Sequence, residues 1–486
     1  MPDLRRQVLE SGKTVSRKAA SRESSVRTSR ANSTHNSPQN SRQSSRNASR
    51  QGSDDEDAGN MSDDTAVSLN SIDDTEQAES ETNNSEWEQE LHNVVESILD
   101  RKRSSVAGRE TSYAAFCRLL KFHFVGEHLR YWIPDILNAL KRSIKNEDSV
   151  RETTLAIRAL ELLAITTSDQ TIYAGVEPLL ARTIRDSTST TIKAEALHCL
   201  GTCVMFGGAG EDDYLDQMSF LLDITATDGE SIDAHDDSGS VTAALQVWGF
   251  LATEIDDFEN ESEDAVQIFM DQLNGGDSSV QIAAGENIAL LYEKSYTEQE
   301  DDDDEGIEED GPSGDSDNES DSDEEPLSTG PKLVKRYNAY HNKPELEDQL
   351  QSLATVHTKR ISKQDKKSLH TNFASIHTTV ANPRRGPMYS TAIDQTTNRH
   401  YGHKLTVKIN KDGAMHIDRW WKWIRLNSLR RVLQGGFAVH YFHGNHNILN
   451  CLPAVMVRID NRHRNTSNKV AKPRQNRRWE MQFSEE

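Results

Sequence analysis

Ser149-Val150-Arg151-Glu152-Thr153-Thr154-Leu155-Ala156-Ile157-Arg158-Ala159-Leu160-Glu161-Leu162-Leu163-Ala164-Ile165-Thr166 decides the fold. Ser149 is an N-cap residue type, and Glu152 stands three positions on, where a capping box needs it. Leu155, Ala159, Leu160 and Leu163 then share one side of a helix. The phrase recurs as Ser189-Thr190 to Leu200, Ser240-Val241 to Leu251 and Ser279-Val280 to Leu290. Its leucines lie 40, 51 and 39 residues apart, at 160, 200, 251 and 290. A period of that size marks stacked helical pairs of the HEAT or armadillo kind.

Each phrase has a partner helix upstream. Pro134 with Ile136, Leu137, Leu140 and Ile144 precedes the first, and Pro178 with Leu179, Leu180 and Ile184 the second. Tyr214 to Leu222 precedes the third, and Val266 to Leu273 the fourth. Two earlier helical runs start near Glu86 and Ser105, so about five pairs are expected over 86–296. The long interval holds an acidic insertion, Thr225–Gly239. Ala159, Ala196, Gly201, Ala244, Gly249, Ala284 and Gly285 fall on the second helices, where small residues permit close packing. Nothing up to Tyr296 alternates at period two.

Charge divides the rest of the chain. Of 486 residues, 34% are hydrophobic and 28% charged, so a large part cannot bury a core. Residues 1–50 carry 11 Lys and Arg against 3 Asp and Glu; residues 51–330 carry 16 against 65; residues 331–486 carry 28 against 11. The net charge of −24 therefore conceals a basic arm, an acidic middle and a basic C-terminal third. Residues 1–85 read as a disordered arm, Ser/Arg-rich and then acidic. It is either a phosphorylatable segment touching nucleic acid or a solvated tail. Residues 297–330 read as an acidic disordered linker, with Ser316, Ser320 and Ser322 set among carboxylates as acidophilic kinases require. That linker either solvates or imitates a polyanion over the basic third. Residues 331–459 read as a small α(+β) basic domain, and 460–486 as a basic disordered tail.

In that basic domain, Lys359, Arg360, Lys363, Lys366 and Lys367 precede a helix carrying Phe373, Ile376 and Val380, which Pro383-Arg384-Arg385-Gly386-Pro387 ends. Leu405, Val407 and Ile409 alternate as a short strand, followed by the turn Asn410–Gly413. Ile417–Gly436 then reads as a helix, with Asp418 available to cap its start and Gly435 its end. At 100° per residue, Trp421, Leu426, Leu429, Val432 and Leu433 face a core, while Arg419, Trp420, Trp423, Arg430 and Arg431 fall largely on the other side. Indoles beside guanidinium groups suit base stacking with phosphate neutralisation. The competing reading packs Trp420 and Trp423 against a neighbouring element. The candidate RNA-binding set is Lys366, Lys367, Arg384, Arg385, Arg419, Trp420, Trp423, Arg430 and Arg431.

The chain resembles the interferon-related developmental regulators. One set of matching residues is Ala159–Thr166, Glu195-Ala196-Leu197-His198-Cys199-Leu200-Gly201 and Gly285-Glu286-Asn287-Ile288-Ala289-Leu290-Leu291. The more specific set is Asp365-Lys366-Lys367 with Phe373 and Ile376, Ile417-Asp418-Arg419-Trp420, and Leu426–Gly436. The resemblance spans roughly 86–455. It implies an armadillo-type N-terminal domain, a small C-terminal domain and a non-enzymatic regulator of gene expression, nuclear and cytoplasmic. Members are co-regulators working through histone-deacetylase complexes, or proteins docked on silent ribosomes. The Ser/Arg arm, the heavy acidic spacer and the tail after Ile459 depart from the family pattern.

Other chemistry is not expected. His440, His443, His446 and Cys451 match no zinc-ligand spacing, and read as an exposed His-rich loop. Cys199 and Cys203 sit one turn apart, as in a core seam, and with Cys117 and Cys451 imply a reducing compartment. Gly207-Gly208-Ala209-Gly210 follows a helix and is no nucleotide fingerprint. The expectation is a soluble intracellular scaffold with no enzyme activity, cofactor, small-molecule substrate or membrane span. Its array binds proteins, or packs on the C-terminal domain, and its basic end binds RNA, most naturally on the ribosome. The alternatives are a nuclear transcriptional co-regulator recruiting a deacetylase-type complex, and a transport-receptor-like adaptor.

Overall fold

The Ser149 phrase forms the helix it predicts, Val150–Thr166, and the Ser149 hydroxyl accepts the Glu152 N–H at 3.2 Å. Glu152 does not complete the box. Its carboxylate is buried instead, and accepts from Arg109 Nε and Ser143 Oγ at 2.6 Å each. At the third and fourth repeats the cap lies upstream of the expected serine. Asp237 accepts from Ser240 N, and Asp277 from Ser279 N and Val280 N. An ionised carboxylate beside a helix N-terminus also opposes the macrodipole favourably.

The computed structural model describes residues 84–101, 104–167, 169–298, 333–355, 362–393, 400–403, 405–408, 413–453 and 456–458. Expectations for most of the N-terminal arm, for the acidic segment with Ser316, Ser320 and Ser322, and for the tail lie outside those residues. Among them the fold is mainly α, a helical-repeat solenoid.

The helices are α1 Asn84–Leu99, α2 Val106–Phe122, the short α3 Gly126–Leu129, α4 Ile133–Asn146, α5 Val150–Thr166, α6 Ile172–Asp186, α7 Thr190–Phe206, α8 Glu211–Ala226, α9 Ser238–Ala252, α10 Ser262–Leu273 and α11 Ser278–Lys294. They pair as α1/α2, α4/α5, α6/α7, α8/α9 and α10/α11, the five pairs the sequence calls for. The second helices α2, α5, α7, α9 and α11 pack successively on one another and form the inner row. Glycines set that spacing. A Cβ on Gly201 would collide with Val247 of α9, and one on Gly249 with Asn287 of α11. Asn287 uses the proximity to donate to the Leu245 carbonyl at 2.9 Å.

The insertion after α8 is ordered. A 3₁₀ turn at Glu230–Ile232 packs against α6 and α8, with Ile232 and Ala234 buried. The buried Lys193 ammonium holds it by donating to Ile184, Arg185 and Ile232 carbonyls. A buried ammonium requires such a set of acceptors.

The array does not stop at Tyr296. Strand β1 (Tyr296–Glu298) pairs antiparallel with β2 (Leu333–Lys335), which brings the chain back beside α11. Helices α12 (Lys343–Ala354) and α13 (Lys363–Ala381) then form a sixth pair. Phe373 and Ile376 of α13 lie where a Cβ on Gly285 would be, so that glycine lets α13 settle on α11. Gln349 of α12 donates to Met270 O and Asn274 Oδ1 at 3.0 Å each, which ties it to α10.

Beyond α13 the chain forms small antiparallel sheets. β3 (Tyr389–Ile393) pairs with β4 (His400–His403), and β6 (Gly413–His416) lies between β5 (Thr406–Lys408) and β7 (Met456–Arg458). The expected strand around Leu405–Ile409 is thus β5 over Thr406–Lys408; Ile409 and the expected turn at 410–412 lie outside the described residues. Three helices complete the described chain: α14 Trp420–Leu433, α15 Phe437–Phe442 and α16 His446–Cys451.

Candidate nucleic-acid interface

Helix α14 carries most of the candidate residues, and it lies along the inner row against α5, α9 and α11. Its beginning is held from outside its own segment. Glu293 of α11 accepts the Trp420 N–H at 2.8 Å and the Trp421 N–H at 3.2 Å. Asp418, the expected cap, instead pairs with Lys422 at 2.7 Å. Two N–H groups with no partner in their own helix are therefore satisfied by a carboxylate from a distant repeat.

The indoles are placed opposite to the expectation. Trp420 is 2% exposed and Trp423 8%. Trp420 Nε1 donates to Thr379 Oγ1 of α13 at 2.7 Å, and Trp423 Nε1 donates to Glu286 of α11 at 2.9 Å. Neither offers a free face for a base. Trp421, expected in the core, is the half-exposed indole, flanked by Lys422 and Arg425 at 5.5 and 5.0 Å from its ring. The single-face assumption fails because α14 is covered on more than one side; no residue from Trp420 to Leu433 is exposed.

The arginines of α14 follow. Arg425, never singled out from the sequence, is buried and fully bonded: to Thr253 Oγ1 and O at 2.8 and 3.0 Å, to Cys451 O at 2.8 Å and to Glu254 at 2.7 Å. It neutralises the carbonyl end of α9. Arg431 pairs with the buried Glu161 of α5 and reaches Glu195 of α7 at 3.9 Å. Glu161 also accepts from Thr202 at 2.9 Å. Arg419 and Arg430 are half-buried. Trp420, Trp423 and Arg431 thus lock the C-terminal segment onto the array; their capture as an RNA-facing surface is corrected.

The lock continues to the first repeats. Lys121 of α2 donates to Gln434 at 2.8 Å, and His440 Nε2 donates to Leu120 O at 2.8 Å. Asn447 donates to Ile165 and Thr167 carbonyls at 3.0 and 2.9 Å, capping α5 from outside. The expected exposed His-rich loop is divided: His440 is buried, while His443 and His446 are exposed and Cys451 is buried. Burial lowers the His440 imidazole to about 4, so it docks neutral. Among the described residues, no three His, Cys, Asp or Glu are placed to share a metal. Cys199 and Cys203 are buried with sulfurs 4.0 Å apart, one helical turn along the core seam.

Burial raises two carboxyls beneath α14, Glu286 and Glu293, to about 7 each, against the hydrogen bonds they accept. A carboxyl raised above its unfolded value of 4.5 binds more protons in the folded state between about pH 4.5 and 7. Stability therefore falls as pH rises across that window and levels above it. Urea midpoints should be higher at pH 5.5 than at pH 8, and Glu286→Gln with Glu293→Gln should flatten that difference. A midpoint rising with pH over the same range would refute the burial of these groups.

The accessible cations lie elsewhere. Lys363 and Lys367, at the start of α13, and Arg384 in the following turn are exposed; Lys366 and Arg385 are half-exposed. Ser362 caps that helix by accepting Asp365 N–H at 3.0 Å. Thr379 anchors the turn by donating to Arg385 O at 2.6 Å, and the Arg385 guanidinium sits 5.2 Å from the Tyr389 ring. Tyr389 meets His403 edge-on at 5.1 Å across the β3–β4 pair. Among the described residues no helix is long and apolar enough to cross a membrane.

Comparison with known proteins adds two findings. The sequence model of the family described as interferon-related developmental regulator matches residues 56–381. That match ends with the last residue of α13, the close of the sixth pair. An uncharacterized protein of Schizosaccharomyces pombe is similar at 22% identity over 357 residues, covering 73% of this chain and 72% of its own.

Proposed function

Because this chain belongs to the interferon-related developmental regulator family, a family of non-enzymatic regulators of gene expression, we propose that it acts in translation, by binding RNA on the ribosome. The RNA-facing surface runs along the sixth pair, from Lys363, Lys366 and Lys367 at the start of α13 to Arg384 and Arg385 just past its end. One observation supports this reading above the others. After α14 is docked, these side chains are still exposed or half-exposed, as two clusters at opposite ends of α13, the second beside the Arg385–Tyr389 contact. Ammonium and guanidinium groups release counterions from a phosphate backbone without needing a base sequence. Protein partners address the outer row of the array, because α14 covers much of the inner row.

The test uses the full-length chain and ribosomal RNA over a salt series. Lys366→Glu with Lys367→Glu and Arg384→Glu should weaken binding and reduce the slope of log K against log salt by about 1 per contact removed. An unchanged slope removes the proposal. Sedimentation separates this reading from that of a nuclear co-regulator, which the helical-repeat fold also supports. Ribosome co-migration that the triple variant loses favours translation. An exclusively nuclear protein absent from ribosomal fractions favours chromatin.

A further inference from the structure

The chain that leaves α13 is pinned at three points before it enters β3. Thr379 Oγ1 donates to the Arg385 carbonyl at 2.6 Å, and the Met388 N–H donates to Ser375 Oγ at 3.0 Å. Gly386 rests on the start of α14, where a Cβ would collide with the Asp418 carbonyl. Met388 is held at φ +59°, in the left-handed region that long side chains rarely adopt. Such strain persists only where the surroundings over-determine it, and it collects at binding sites. The strained residue is the one before Tyr389.

Two rings follow from this turn. Tyr389 of β3 and His403 of β4 are register partners, and their rings meet edge-on at 5.1 Å. The Arg385 guanidinium lies 5.2 Å from the Tyr389 ring. Tyr389 is half-exposed, and His403 and Arg384 are exposed. Lys422 of α14 stands nearby, paired with Asp418 at 2.7 Å. Against burial, which would raise it, Lys422 and more weakly His403 hold the Asp418 carboxyl below its ordinary value. Rings borne on adjacent strands are thus set among guanidinium and ammonium groups.

Resting on the RNA-binding reading above, we infer that Tyr389 and His403 form a stacking platform for unpaired bases, so that the RNA taken by this surface is single-stranded. The lysines at the start of α13 can serve any phosphate backbone. A protein ring, in contrast, stacks only on a base that has left its helix; an A-form duplex offers base edges and backbone. Every base has a π-face, so such a platform tolerates sequence, and Arg384 and Arg385 stand beside it for the adjoining phosphates. Because the turn is pinned, little further ordering is needed on binding.

The test titrates the full-length chain, at about pH 8 where histidine is neutral, with a single-stranded RNA of about ten nucleotides and with the blunt duplex of the same sequence. Tyr389→Leu with His403→Leu should weaken single-strand binding about tenfold or more, the loss of stacking on one or two bases. Duplex binding and both salt slopes should stay unchanged, because neither substitution removes a charge. Tyr389→Phe keeps the ring and should bind as the native chain does. Single-strand affinity unmoved by the leucines would overturn the inference. So would equal losses for single strand and duplex, which would mean that the leucines act through the turn. Lys366→Glu with Lys367→Glu and Arg384→Glu is measured alongside. If that charge variant weakens both RNA forms while the leucine pair weakens neither, the RNA-binding reading stands and the platform falls; if neither variant acts, both fall.

Discussion

The Arg431→Glu variant is expected to lose about 3–5 kcal/mol of folding stability, the typical loss on breaking a buried ion pair. Arg431 faces Glu161, whose side chain is 1% exposed, and Glu195 at 3.9 Å. The new carboxylate would meet two others with no cation between them. Burial already raises the Glu161 carboxyl above its ordinary value, with Arg431 the principal opposing influence. Removing that influence favours protonation and costs the Thr202 bond its charged acceptor. The pairing can be isolated. Arg431→Met leaves Glu161 alone and should be costly, whereas Arg431→Met with Glu161→Met should recover most of the loss, since apolar replacement of a buried pair is often neutral. Urea midpoints measure all three. A midpoint unmoved in Arg431→Glu would mean that α14 is not seated on α5.

Trp420→Ala should be of comparable size, about 3–5 kcal/mol for a large buried aromatic, with Thr379 Oγ1 losing its indole donor. Trp421→Ala, one residue on, should cost about 1 kcal/mol, because that indole is half-exposed and its contacts are cation–π. The contrast between adjacent tryptophans tests which side of α14 meets the array. Equal losses, or the reverse order, would restore the outward placement that helical periodicity assigns to Trp420. Thermal unfolding of the two variants side by side decides it.

Periodicity served well wherever one side of a helix met a core and the other met water. That describes α4 to α11, where Ile136, Leu140, Leu160, Leu200, Leu251 and Leu290 are all buried as expected. It served poorly at α14, where array and C-terminal segment both bury the helix and no polar side exists to break the symmetry. Its faces are distinguished by partners on other helices, Glu286 and Glu293 of α11, Thr379 of α13 and Glu161 of α5, and that information is not local to the segment. The sixth pair was hidden for another reason. Charge changes sign near residue 331, but Phe373 and Ile376 pack on Gly285 irrespective of the net charge around them. Electrostatic segregation and packing unity are separate properties of this chain. The caps of α9 and α11 were displaced because Asp237 and Asp277 are stronger acceptors than the serines that follow them. Of the candidate cations, the exposure of Lys367 and Arg384 and the partial exposure of Lys366 and Arg385 were legible, since charged side chains flanking a terminal helix stay in solvent. Arg425 was not, because nothing in its local pattern separates a buried guanidinium from an exposed one.

The ladder between β1 and β2 joins Glu298 to Leu333, so the two ends that flank residues 299–332 lie side by side. Closing an excursion of that kind costs only about 0.6 kcal/mol more each time its length doubles. Insertions, deletions or added phosphate within it would therefore leave the register of the sixth repeat almost untouched. Evolution can rewrite this excursion's size and electrostatic character without renegotiating the architecture on either side.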